Sequence, residues 1–382
     1  MTIDLDSAPA IFAASDDFTV GIEEEFALLD KQSLELVGRF EELRAAAGSD
    51  PALSQAIAGE LITSEIEIRS GRGSDLHAAL TAQRDLRGRL FALANAHSIA
   101  LGATGTHPFS DYRTQSFIDT EHYERVVEGL QYVARRNNTF SLHVHVGVRG
   151  VDRAVRVCDR LRATLPLLLA VSANSTCVDG CDAGLHSVRT EIFTKVFPRC
   201  GVPDSYGGWP AFADYLRLLI ETRSIVEYTQ VWWSVRPHLG FGTVELRICD
   251  AQSTAAESEA LATLIVACVA QAARDEDEQR PFLDPPGRLI EENMWRAIRY
   301  GLDGELIDLE RGELYPARAV LERLAAWTAP VRGELGIDVT WPLELNGAQR
   351  QRRALDSGMP VDQVYAASVR ETSDTYPAKV PA

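Results

Sequence analysis

The chain has 382 residues, 46% apolar and 24% charged, with 38 Lys and Arg against 55 Asp and Glu for a net charge of -17. That balance is ordinary for a folded protein and argues against disorder, while the negative charge disfavours nucleic acid and anionic membranes as partners and favours cations. The six cysteines form no C-x-x-C pair, which argues against structural zinc and a disulfide framework.

The N-terminal MTIDLDSAPAIFAASDDF carries acids where a secretory leader would be apolar, so residues 1–15 read as a tail and the protein as cytoplasmic. In Phe18 to Leu29, FTVGIEEEFALL, a period of two puts Phe18, Val20, Ile22, Phe26 and Leu28 on one strand face. Thr19, Gly21, Glu23 and Glu25 fall on the other, and Glu24 alone lies on the apolar side. Adjacent carboxylates on one sheet face repel, so this segment is either a solvated outer face or a cation site. In LITSEIEIR, Leu61 to Arg69, the same count sets Ile62, Ile66 and Ile68 against Glu65, Glu67 and Arg69.

A helix is predicted over Asp75–Ser98 behind a Ser74/Asp75 cap. In FSLHVHVGV, Phe140 to Val148, Phe140, Leu142, Val144, Val146 and Val148 oppose Ser141, His143, His145 and Gly147. A second helix is predicted over Asp152–Val171, and GVPDSYGGWP (201–210) reads as a loop, either plain surface or a lid. Trp232 and Trp233 read as core. In TVELRIC, Thr243 to Cys249, Val244, Leu246 and Ile248 oppose Thr243, Glu245 and Arg247. Helices over Ala255–Ala273 and Ala317–Trp327 follow, and the chain ends in a tail, 373–382. Neither Leu161–Ala173 nor Leu261–Ala273 reaches the roughly 20 apolar residues of a membrane helix. No linker divides the chain, so residues 16–372 read as one domain.

Four strands with one aliphatic face and one face of Glu, His and Arg predict an α+β fold. It is a curved, mostly antiparallel sheet with helices on one face and a polar cavity on the other. Carboxylates with an occasional imidazole suit Mg2+ or Mn2+, and arginines beside them suit a polyphosphate bridged by such ions, which points to ATP. Neither a P-loop nor a Gly-x-Gly-x-x-Gly turn opening a helix occurs, so the sheet itself would hold the nucleotide.

The sequence resembles the type 2 glutamate-cysteine ligases and related carboxylate-amine ligases. The resemblance rests on FTVGIEEEF (18–26), ELITSEIEI (60–68), GTHPF (105–109), LHVHVG (142–147), SANS (172–175), Arg189-Thr190 and WWSVRPHLGFGTVELRICD (232–250), in the family's order. It implies a glutamine-synthetase-like fold and a homo-oligomer, a dimer. It also implies an ATP- and Mg2+-dependent enzyme joining a small-molecule carboxylate, the glutamate side chain, to cysteine or another amine. Carried over by motif, Glu23, Glu25, Glu67, His145 and Glu245 are the metal ligands. Arg247 and Arg236 lie on the transferring phosphate, and Arg69 is among the nucleotide-binding groups; His143, His107 and the 201–210 loop are left unassigned. Phe140-Ser141 stands where the family has Cys-Gly, and Glu65 where it has Gln, departures that bear on the acceptor side of the pocket. A metal-dependent amidohydrolase and a non-catalytic nucleotide or metal sensor are the alternatives, since each uses part of the same ligand set.

Overall fold

A computed structural model describes residues 5–338 and 344–377. Its centre is a sheet of seven strands: β1 (Val20–Asp30), β2 (Ile57–Ala58), β3 (Glu65–Arg69), β4 (Ile99–Gly102), β5 (Ser141–Gly147), β6 (Val235–His238) and β7 (Thr243–Asp250). They run in the spatial order β6-β7-β5-β1-β3-β2, with β4 paired to the far end of β1, and every pairing is antiparallel. The helices that matter here are α1 (Ala8–Ala13), α2 (Leu76–Ala96), α3 (Val151–Leu161), α4 (Leu165–Ser172), α5 (Ala255–Asp277), α6 (Ala317–Leu335) and α7 (Val361–Thr375).

The aliphatic side of the sheet behaves as the period of two demands. Val20, Ile22, Val144, Val146, Val244 and Leu246 are buried in one cluster with Val155 and Leu161 of α3, Leu168 of α4 and Leu261, Ile265 and Cys268 of α5. At the other end of the sheet Phe26, Leu28, Ile66 and Ile68 pack with Leu86, Leu90 and Phe91 of α2. Asp75 caps α2 by accepting from the Ala78 N–H at 2.8 Å. Helix α5 is long and apolar enough to cross a membrane by length and composition, with a mean hydropathy of 1.3, but 83% of that window is buried within the fold. It is a core helix of the sheet's covering layer.

Several boundaries differ from the expectations. The helix predicted over Asp152–Val171 is two helices, α3 and α4, joined by a 3-10 turn at Arg162–Thr164; Pro166 sits in the first turn of α4, where its missing N–H costs no hydrogen bond. Helix α6 continues past Trp327 to Leu335. The second strand segment joins the sheet at Glu65, four residues after Leu61; before that Ile62 makes an isolated antiparallel bridge to Phe117.

The described parts of both expected tails, residues 5–15 and 373–377, are docked on the core. Leu5, Ala8 and Phe12 belong to the main core, because Pro9 in the first turn of α1 starts a short helix whose apolar side meets α3. At the other end α7 runs to Thr375 and Tyr376 is buried, stacked on Phe91 and donating to the Gln252 carbonyl at 2.7 Å. Residues 378–382 of the expected tail lie outside the described residues.

Strand β7 carries an irregularity in its pairing with β5. Leu246 pairs with Val144 and Cys249 with Leu142, so Arg247 and Ile248 together oppose His143 alone. This bulge breaks the strict alternation read from TVELRIC and returns Cys249 to the aliphatic face.

Candidate active site

The register of the sheet gathers the polar side chains into rows. Glu23 lies across from His143 on β5 and Arg69 on β3, Glu25 across from Glu67, and His145 across from Glu245, which in turn faces Arg236. All eight residues singled out from the sequence, Glu23, Glu25, Glu67, Arg69, His145, Arg236, Glu245 and Arg247, line one cavity of about 430 Å³.

Within it, oxygen and nitrogen atoms converge in two overlapping groups, Glu23 with His143 and Glu245, and Glu25 with Glu67 and His143, each within 4.8 Å. The imidazole common to both is His143, which the sequence left unassigned; its Nδ1 is 3.2 Å from Glu23 and its Nε2 2.7 Å from the Ser141 hydroxyl. His145 stands slightly apart. Its Nδ1 meets the Thr243 hydroxyl at 3.0 Å, while its Nε2 lies 3.4 Å from Glu23 and 3.8 Å from Glu245 with no hydrogen-bond partner.

The arginines divide by partner. Arg247 donates to Glu245 at 2.5 Å and keeps a buried Nε without a partner. Arg236, expected on the transferring phosphate, forks onto Glu245 at 2.6 and 3.3 Å and donates to the Thr229 and Val231 carbonyls, a geometry that positions Glu245. Arg69 bonds Glu67 and is 46% exposed at the rim.

Burial opposes the ionisation of Glu23, but the imidazoles of His145 and His143 outweigh it and hold the carboxyl well below the usual range. Glu245 is likewise held low by Arg236 and Arg247 against the effect of burial. At the remaining acids burial wins, even at Glu67 with Arg69 bonded to it. Burial and then Glu25 push Glu65 well above the normal range, burial and then Glu23 do the same to Glu67, and burial with Glu25 raises Glu60 to about 8. A buried cluster of mutually repelling carboxylates with two imidazoles is the donor set of a hard divalent cation, and the unpartnered Oε2 of Glu65 and Nε2 of His145 add unused lone pairs or protons there.

Other lining residues were not singled out for the site. Glu60 precedes β3, outside the reach of a period-two count, and Arg189 sits on the helix Val188–Val196, held over the cavity by the Ile248 and Arg247 carbonyls. An acid five residues ahead of Glu65 was the available signal for the first. The tryptophans split: Trp233 is core and Trp232 lines the cavity. His107 faces away from it, bonded to the Leu34 carbonyl and packed on Phe109 and Tyr365. The 201–210 loop is not a lid: Asp159 accepts from the Tyr206 and Gly207 N–H groups, Arg162 donates to the Pro203 carbonyl, and Tyr206 stacks on Trp233.

Comparison with known proteins accords with this geometry. The model of glutamate-cysteine ligase family 2 matches residues 19–357. A chain from Solibacter usitatus provisionally named glutamate-cysteine ligase 2 is 36% identical over 360 residues, 93% of each chain. One from Sorangium cellulosum with the same provisional name is 38% identical over 360 residues, again 93% of each. Among solved structures, glutamate-cysteine ligase from Francisella tularensis, crystallised with AMP, shares the fold with a TM-score of 0.68 at 11% identity over 95% of this chain and 91% of that one. A bifunctional glutathione synthetase from Pasteurella multocida reaches the same TM-score at 12% identity over 97% of this chain and 53% of its own. The chain therefore belongs to glutamate-cysteine ligase family 2, and with it to the ATP-dependent carboxylate-amine ligases.

Proposed function

We propose that the protein activates an amino-acid carboxylate, the side chain of glutamate, as an acyl phosphate and passes it to an amine, cysteine or another amino compound. The observation that carries this reading is the pair of acid groups sharing His143, with the Arg247 guanidinium against Glu245 on the same wall. Glu23, His143 and Glu245, and Glu25 with Glu67, would hold divalent cations, Mg2+ or Mn2+; such ions when bound neutralise phosphate charge. His145, with Nε2 toward Glu23, is a further ligand for the same ions.

The reaction assigns the chain's own residues distinct tasks. A carboxylate is a poor acyl donor at neutral pH, so its oxygen first attacks the terminal phosphorus of ATP and ADP departs. Arg247, with its unpartnered Nε, stabilises charge gathering on the transferred group, and Arg236 keeps Glu245 in place beside it. The amine nitrogen then attacks the acyl carbon, phosphate leaves, and the nitrogen loses its proton. Arg69 at the rim guides the anionic substrates inward. The departure at Phe140-Ser141 lies on this wall, since Ser141 donates to Glu25 from both its N–H and its hydroxyl.

The test is ADP release with Mg2+ and a panel of amino acids as carboxylate and amine. Turnover that requires a carboxylate supports the ligase; hydrolysis of amides without ATP would replace it with an amidohydrolase, and binding without release with a sensor.

A further inference from the structure

The polar wall of the cavity has a direction. Along β5 the inward residues run Ser141, His143, His145 and Gly147; the carboxylates Glu25 and Glu67 lie toward the Ser141 end, and Gly147 pairs with Thr243 at the mouth of the β6–β7 hairpin. The acids stop there and aromatic rings take over. Phe241, at the hairpin tip, stacks on His238 with centroids 4.2 Å apart and planes 17° apart, and both meet His145 edge-on, at 5.5 and 5.2 Å.

The tip is rigid. Phe241 and Gly242 both donate backbone bonds to the His238 carbonyl, and Gly240 donates to the Tyr228 hydroxyl at 3.0 Å. Gly242 has a positive φ of 65°, and a side chain there would crowd the Ile11 carbonyl of α1. Phe241 is nonetheless 59% exposed while lining the cavity. A large apolar ring fixed on one face and open on the other is a stacking platform. Beneath it, His238 Nδ1 is buried without a hydrogen-bond partner, so an unused polar atom lies where the edge of a ligand ring would arrive.

We propose that Phe241, backed by His238, is the platform on which the purine base of the nucleotide stacks, setting the triphosphate inward along His145 toward Glu245 and Arg247. This rests on the nucleotide reading of the cavity. It also orients the cavity: the base enters at the hairpin, and the carboxylate and amine occupy the opposite end, beside Glu65 and Tyr123.

Calorimetric binding of ADP and of inorganic tripolyphosphate, both with Mg2+, separates the base from the phosphates. Phe241→Ala should weaken ADP about tenfold, the order expected for one lost base-aromatic stack, and leave tripolyphosphate unchanged. Phe241→Trp should restore ADP binding. Equal weakening of both ligands, or unchanged ADP binding by Phe241→Ala, overturns the platform while leaving the nucleotide site standing. Failure of the wild-type protein to bind either ligand overturns the nucleotide reading and the platform with it.

Discussion

Two adjacent carboxylates, Glu24 and Glu25, lie on opposite faces of β1 and meet opposite surroundings. Glu24 faces the helices, where Arg87 forks onto it at 2.7 and 2.5 Å, Gln83 donates at 2.8 Å and Ser258 adds a third partner. Arg87 is 1% exposed, so removing the charge opposite it leaves a buried cation with Glu259 as its remaining acid. Glu24→Gln should therefore lower unfolding free energy by about 3 kcal/mol in denaturant titrations while metal affinity holds. Glu25→Gln should do the reverse, abolishing ATP turnover and leaving the metal-free melting temperature unchanged or raised, because Glu67 no longer faces a like charge across the strands. At Arg247, lysine keeps the charge and loses the fork. Arg247→Lys should cut turnover by about two orders of magnitude in a protein with an unchanged circular dichroism spectrum.

At the scale of elements, legibility follows from how local the determining pattern is. The two faces of β1, β3 and β5 could be read from the chain because alternation is a property of one strand. The bulge in β7 could not, since it exists only in the pairing of Leu246 and Cys249 with Val144 and Leu142. For the same reason the period-two count could not separate His143 from His145: both point inward, and only the neighbouring strands set His143 between Glu23 and Glu25. Helix α1 was hidden by its length, since six residues give too few turns for a period to register. Its contribution is testable. Phe12 is fully buried, and its carbonyl accepts from the Gly150 N–H at 3.0 Å at the start of α3. Phe12→Ala should cost about 3–5 kcal/mol of stability in chemical denaturation, and deleting residues 1–15 as though they were a tail should cost more.

Across the whole molecule, the site opposes the fold that carries it. Seven carboxylates, Glu23, Glu25, Glu60, Glu65, Glu67, Glu227 and Glu245, line one cavity, and the core behind the sheet must hold them together. Glu60, Glu65 and Glu67 have folded-state pKa values raised above the ordinary 4.5, by burial first and by neighbouring acids second. The folded protein therefore binds more protons than the unfolded chain above that value. The stability these groups contribute is fully present below about 4.5 and is lost as pH rises, for Glu60 through about 8. Glu23 and Glu245, held low by His145 and by the arginines, act in the opposite sense and lose their contribution only in acid. A divalent cation reverses the trend, because it binds the ionised cluster and not the protonated one. Melting temperature measured in EDTA should fall between pH 5 and about 8, whereas the gain on adding Mg2+ or Mn2+ should grow across the same interval. Glu60→Gln should flatten the upper part of the EDTA curve. A metal-induced gain that is the same at both ends of the interval would mean that the cluster does not gather the cation, and that the raised carboxyls are a cost of the fold with no ligand to relieve it.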